Sequence, residues 1–268
     1  MPENWAATAF NQDPGSPNEI HGDDLAKKYG FEGGLVPGVT ISAYVTHPAV
    51  AHWGLAFLER GHAHVRVGSP LYDGEDFRVV IDEQAETSYR ARLLRGADIV
   101  SAEATVGLTE QLPEPPTRRG DPIAEKDYAP PQSSREVWQQ RRESGCMAYR
   151  YHWGGAHKMS SYLMDPAGMP ALHQGNDAFA NMSFILALSN FSADGNARMN
   201  PWVHLETKSQ NFAPITPGTD IVAEMAVVDL FEKKGHEFFD AEINLFDESD
   251  DRCLTTIWLR AIHHLAGS

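Results

Sequence analysis

Pro70-Leu71-Tyr72-Asp73-Gly74-Glu75-Asp76 recurs 144 residues later as Pro214-Ile215-Thr216-Pro217-Gly218-Thr219-Asp220. Both stretches read Pro, an aliphatic residue, two residues, Gly, one residue, Asp. Each leads into two long strands of alternating hydrophobicity. After the first, Tyr89-Arg90-Ala91-Arg92-Leu93 alternates. Val100, Ala102, Ala104, Val106 and Leu108 then face one way, with Ser101, Glu103 and Thr105 on the other side. After the second, Phe239, Ala241, Ile243 and Leu245 alternate with Asp240, Glu242 and Asn244, and a further strand is expected from about residue 253 to 262. Arg95-Gly96-Ala97-Asp98 and residues 247–251 occupy the matching turns. A chain that builds one unit twice packs the copies together, and a site between them is expected.

Each half also holds one apolar helix candidate. The first begins near Gly38 with Val39-Thr40-Ile41-Ser42-Ala43-Tyr44-Val45, and Pro48 is expected to kink or interrupt it. The second runs from about Asn176 through Ala178-Phe179-Ala180-Asn181-Met182-Ser183-Phe184-Ile185-Leu186-Ala187-Leu188. Both are apolar on nearly all sides, which implies burial rather than a surface position. Between the halves, residues 112–134 carry Pro113, Pro115, Pro116, Pro122, Pro130 and Pro131 and read as a connector. A helix over about 134–144 follows it. A strand over 147–153 should open the second half as residues 5–11 open the first. The expected organisation is an N-terminal unit over 1–111, a proline-rich connector and short helix over 112–145, and a C-terminal unit over 146–268. This is an α+β architecture in which a buried helix is wrapped by antiparallel strands, twice.

Composition narrows the function. The chain has 268 residues and a formal net charge of -15, which disfavours a nucleic-acid backbone as partner. An anionic ligand would need helix N-termini, backbone N–H groups or a few Arg and Lys. Met1-Pro2-Glu3-Asn4-Trp5 shows no basic region followed by an apolar run, and no segment reaches about 18 uninterrupted apolar residues. The reading is a cytoplasmic protein without a membrane partner. Cys146 and Cys253 form no disulfide framework and read as ordinary thiols. The pairs His62/His64, His152/His157 and His263/His264 lack companions at a metal spacing, so no metal site is expected.

One stretch goes further. Ser16-Pro17-Asn18-Glu19-Ile20-His21-Gly22-Asp23 is followed by Ala26, Gly30-Phe31 and Leu35-Val36-Pro37-Gly38. The first half thereby resembles the MaoC-like, (R)-specific enoyl-CoA hydratases, and the whole chain resembles the double hotdog form of that fold. The family pattern is Asp-x-Asn-Pro-x-His, an acid two residues on, an Ala, Gly-Phe, and a Gly at the start of the central helix. Asn18, His21, Asp23 and Gly30-Phe31 hold their places. Ser16 stands at the family's catalytic Asp, Glu19 at its Pro, and Ala26 comes one residue early. The second half is similar to the C-terminal half of double-hotdog acyl-CoA thioesterases. Pro170-Ala171-Leu172-His173-Gln174 resembles their helix entry and residues 202–214 their next strand. Met182 stands near the Asp expected in that helix.

The resemblance implies a hotdog enzyme acting on acyl or enoyl thioesters. Hydration at the 2,3 bond needs a base for water, an acid for the alpha carbon and a donor for the carbonyl. His21 suits the acid/base role because imidazole titrates near working pH. Asn18 would hold the water or orient His21, and Asp13, on a Gly/Pro loop, would supply the carboxylate. The helix N-terminus at Gly38 would hold the carbonyl, with Gly permitting its close approach. Asp23 and Asp24 read as residues that cap or solvate the next helix.

A thioesterase would instead use the start of the second helix. Asp177 would be its base, with His173, Gln174 or Asn176 polarising the carbonyl and Glu206 facing the cleft. Asn176 and Asp177 also suit an N-cap and first-turn acid. A third reading is a non-catalytic ligand-binding or scaffold protein. A hydratase of this kind needs no metal or redox cofactor, since the thioester activates its own alpha carbon, and no cofactor is expected. Coenzyme A and acyl carrier protein both remain open as the thioester's carrier, as does a natural-product substrate, and a homodimer is compatible with the sequence.

Overall fold

The computed structural model describes residues 1–16, 18–28, 30–154 and 157–266. The side chains of residues 23–25 lie outside that description, and with them the expected capping by Asp23 and Asp24. In chain order the elements are β1 (Trp5–Thr8), α1 (Asp23–Lys28), α2 (Gly38–Trp53), α3 (Leu55–Arg60), β2 (Gly61–Val67), β3 (Asp76–Gln84), β4 (Ser88–Arg95) and β5 (Ile99–Leu108). Then follow α4 (Arg135–Ser144), β6 (Tyr149–His152), α5 (Met182–Asn196), β7 (Val203–Asn211), β8 (Asp220–Lys233), β9 (His236–Asp247) and β10 (Cys253–His264).

Among the described residues, ten strands form one sheet in the order β1-β3-β4-β5-β2-β7-β10-β9-β8-β6. Every pairing is antiparallel. The second five strands repeat the first five in mirrored order. The seam is β2 against β7, where Ala63 pairs with Ser209 and Val65 with Thr207. Each half-sheet curls around one buried helix, α2 or α5, and the two helices pack together. Gln12 bonds both helix starts, because its Oε1 accepts from Thr40 Oγ1 (2.7 Å) and Ser183 Oγ (2.5 Å). The fold is a double hotdog.

Each Gly-Asp turn leads into three strands rather than two, because the Asp that closes the repeat is itself the first residue of β3 or β8. Pro48 does not interrupt α2, which runs through it to Trp53. Proline costs a helix about 3 kcal/mol. Full burial of Val39, Ile41, Val45 and Val50 returns about 1.5–3 kcal/mol each, so burial wins. The helix α5 starts at Met182, not Asn176. Its N-cap is Asn181, whose Oδ1 accepts from the Phe184 N–H. The preceding backbone is held by partners outside the helix: Phe179 N–H bonds Leu172 O, and Ala180 N–H bonds Ile215 O. Val100 is exposed and Ser101 buried, because a register shift after Leu93 moves that end of β5 to the other face.

The connector is pinned to the second half by Glu224. This wholly buried carboxylate accepts from the backbone N–H of Arg119 (2.7 Å), Gly120 (2.8 Å) and Asp121 (3.0 Å). No helix among the described residues is long and apolar enough to cross a membrane.

Candidate active site

The stretch after β1 returns to the start of α2 and fixes a histidine there. Asn18 precedes a short 3-10 turn, Glu19–His21. Leu35 N–H bonds Ile20 O (3.0 Å), and His21 Nδ1 lies 2.7 Å from Leu35 O. A carbonyl only accepts, so Nδ1 carries the proton and Nε2 keeps its lone pair. Asn18 is buried and clamps this turn to the second half. Its Nδ2 donates to Trp202 O (3.0 Å) and its Oδ1 accepts from Trp202 N–H (3.2 Å). The same Nδ2 lies 3.4 Å from His21 Nε2. That contact is long for a hydrogen bond, which leaves the lone pair open to a stronger donor such as water.

His21 stands between two cavities that meet at one wall. The first, about 190 Å³, is lined by apolar groups including Ile20, Phe31, Leu35, Ile41 and Val203, and ends at Gly38. The second, about 250 Å³, holds Asp13, Ser16, Lys158 and Asp194. Asn18, His21, Asn190 and Trp202 line both. The N terminus of α2 opens at this wall. Pro37 caps it with no side-chain bond, and no described group accepts from the Gly38 or Val39 N–H. Gly38 lines the first cavity and Val39 the second, so two free donors and the positive end of a buried helix lie at the wall between them.

The electrostatics suit a neutral imidazole. Burial pushes the His21 pKa below its ordinary value, and the Leu35 carbonyl and the Asp13 charge oppose that shift. Asp13 bonds Lys158 Nζ at 2.8 Å and so crosses the halves. Ser16 accepts from the Asn18 N–H (3.3 Å) and brings no charge where the resemblance has a carboxylate. Burial raises the Asp194 pKa against the pull of the Met199 N–H and Arg198. Among the described residues, no three His, Cys, Asp or Glu side chains gather as metal ligands.

Gly38 has a second reason to be glycine. A Cβ there would lie 2.8 Å from His204 Cδ2 and 2.9 Å from Cγ. The space that the sequence assigns to an approaching carbonyl is occupied by this ring, which leaves the N–H groups as the part of Gly38 open to a ligand. His204 is buried, with Nδ1 3.1 Å from Asn190 Oδ1 and Nε2 bonded to Thr207 Oγ1. Burial lowers its pKa to about 4. His204 and Asn190 escape sequence reasoning, although an Asn amid an apolar helix is a signal, since Asn forms helices poorly.

The wiring around His21 occurs twice. In the second half Phe179 N–H bonds Leu172 O, and His173 Nδ1 bonds Phe179 O at 3.1 Å. Leu35 and Phe179 each lie three residues before their helix. Val36 N–H and Ala180 N–H bond Leu71 O and Ile215 O, inside the two repeats. The copies differ in access. His173 Nε2 is sealed without a partner, and burial lowers its pKa to about 4. Met182, first in α5, is buried, and Asn181 caps the helix.

The other residues expected at a second-helix site do not assemble. Asn176 and Asp177 are exposed on the loop before Asn181, so they neither cap α5 nor reach its start. Gln174 donates to Met169 O at 2.5 Å, away from the helix. Glu206 lies on the sheet face turned away from the helices, with His64 Nε2 at 2.5 Å and Arg66 Nε at 3.1 Å, so it does not face the cleft. Burial raises its pKa, but the bonds from His64 and Arg66 outweigh this and lower it.

No protein-family model matches the chain, and no curated protein matches it. Solved structures do match in fold. A conserved hypothetical protein from Mycobacterium tuberculosis with a double hotdog fold aligns over 98% of this chain and 96% of its own, with a TM-score of 0.62 and 11% identity. A putative MaoC domain protein dehydratase from Chloroflexus aurantiacus aligns over 99% and 96%, with a TM-score of 0.59 and 10% identity. A tesB protein from Mycobacterium avium subs paratuberculosis aligns over 98% and 93%, with a TM-score of 0.52 and 13% identity.

Proposed function

We propose that this double-hotdog chain acts on an acyl or enoyl thioester and adds or removes water across its 2,3 bond, a lyase reaction centred on His21. One observation carries the reading: the His21 Nε2 lone pair, the open N terminus of α2 and an apolar cavity converge at one wall. An enoyl thioester uses all three. Its acyl chain leaves water for the apolar lining. Its carbonyl accepts from the N–H groups at the start of α2, where negative charge is stabilised. Its C3 carbon meets a water held at His21.

In hydration, Nε2 takes a proton from water as the water oxygen bonds to C3. The electron pair of the C2–C3 double bond moves onto the thioester carbonyl as an enolate, held by the helix donors. The imidazolium then returns the proton to C2 and the carbonyl re-forms. One group both removes and delivers the proton, so hydrogen and hydroxyl add to the same face. The Leu35 carbonyl fixes the ring, Asn18 clamps the turn that carries it, and the Asp13 charge favours the imidazolium between the two transfers. Ser16, in place of a carboxylate, fits a mechanism that uses His21 alone. Fold relatives named as a dehydratase and a tesB protein support the substrate class by analogy only.

The test is mass spectrometry of the protein incubated with saturated and enoyl-CoA thioesters. The expected product is heavier by one water, keeps its thioester, and disappears with His21→Ala. Free coenzyme A from the saturated substrates would overturn hydration in favour of hydrolysis. If nothing turns over and His21→Ala binds acyl-CoA as tightly as the unaltered chain, the protein is a binder and the reading fails.

A further inference from the structure

We propose that Asn190, contributed by the second half, is a catalytic residue of the first-half site: its amide nitrogen donates to the thioester carbonyl beside the N–H groups of α2. The inference rests on the thioester reading above. Asn190 lines both cavities, together with His21. Its orientation follows from its neighbours. Among the described residues the Thr207 hydroxyl has no other acceptor, so it donates to His204 Nε2. His204 therefore carries its proton on Nδ1 and donates to Asn190 Oδ1, 3.1 Å away. The oxygen of the amide is thereby turned toward His204. The NH2 is left facing the cavity, where no described group accepts from it, and it is not sealed from access.

The duplicated fold supplies a comparison. Counting from the helix starts, the residue of α2 that matches Asn190 is Thr46. Thr46 Oγ1 folds back onto its own helix and donates to Ser42 O (2.9 Å) and Ala43 O (3.2 Å). It offers the sealed His173 nothing. The pocket-facing donor thus occurs opposite the open histidine and is missing opposite the closed one. His204 acts on this donor as a positioning residue, since it fixes the amide and packs against Gly38.

Asn190→Asp tests the idea with little change of shape. The His204 Nδ1–H keeps an oxygen to bond, while the cavity-facing NH2 becomes an oxygen that repels an enolate. Loss of one such donor lowers kcat roughly 10²–10³-fold. The expected result is that fall in kcat on the enoyl substrate, with KM changed much less and the melting temperature kept. A second measurement needs no variant. Butyryl-CoA has no double bond to hydrate, and the Asn190 side-chain NH2 resonance of the unaltered protein should shift when it binds. If the Gly38 and Val39 amide resonances shift while the Asn190 NH2 does not, the inference is overturned and the thioester reading stands. If Asn190→Asp folds and turns over normally, the inference is likewise overturned. If no resonance moves and nothing turns over, the thioester reading fails and takes the inference with it.

Discussion

Gly38→Ala should destabilise this protein, although alanine is the better helix former. Alanine gains about 0.5–1 kcal/mol over glycine inside a helix. Against this, the new methyl would sit 2.8 Å from His204 Cδ2, 2.9 Å from Cγ and 3.0 Å from Cβ. These atoms lie at the root of the side chain, and the ring cannot swing away cheaply because Asn190 and Thr207 hold its two nitrogens. Overpacking of this kind costs about 1–3 kcal/mol. Mid-range values leave a net loss of about 1 kcal/mol, or a fall in Tm of roughly 2–4 °C for a chain of this size. Thermal unfolding of Gly38→Ala, His204→Ala and the double variant measures it. With His204 reduced to alanine the two ring contacts are gone and only the 3.0 Å contact to Cβ remains, so Gly38→Ala should cost much less in that background. A Tm for Gly38→Ala at or above the parent value would refute the reasoning. So would an equal cost with and without His204.

Three further outcomes follow from the site. Asn18→Ala strands a buried backbone N–H and carbonyl at Trp202, each left without its partner at about 1–3 kcal/mol apiece, a loss read from the urea midpoint. Turnover should fall further than stability, because His21 loses its neighbour; unchanged turnover would remove Asn18 from the site. For His21, burial holds the pKa below 6.5, so the acidic limb of kcat/KM should lie below pH 6.5 with full activity by neutrality. Asp13→Asn removes the charge that raises this pKa and should move the limb to lower pH; a limb moving upward would sink the assignment. Finally, His47, His173, His204 and His263 each titrate at about 4 when folded, against about 6.5 unfolded. A base with a depressed folded pKa adds stability above its unfolded pKa and loses it as pH falls. Stability should therefore decline from pH 6.5 toward 4, by up to about 3 kcal/mol per histidine. A urea midpoint that stays flat over that window would contradict the burial of these rings.

What the residues disclosed depended on how local the cause was. The repeat at Pro70 and Pro214, the alternation of β9 and the Asn18-to-Gly38 stretch are short patterns, and they read directly onto the fold and onto residues that line one candidate cavity. The start of α5 misled because Asn176-Asp177 imitate an N-cap. The true boundary is set by bonds from Phe179 and Ala180 to Leu172 and Ile215, and the second of these is remote in sequence. Glu206 misled for a related reason: its face is decided by His64 and Arg66 across the seam. His204 against Gly38 joins positions in opposite halves, which no local period reports.

The two histidines with one wiring bear on why the units are fused. In a dimer of identical chains, any substitution that fills one site fills both, and the activity is lost. Covalent fusion breaks that equivalence. His173 can be sealed, beside a helix start capped by Asn181, while Gly38 stays open beside His21. A second copy released from chemistry is then free to be selected for rigidity. Asn190 and His204 belong to that second copy, yet they stand at the first copy's cavity. Under the proposed function, the second unit is the scaffold that aims the first.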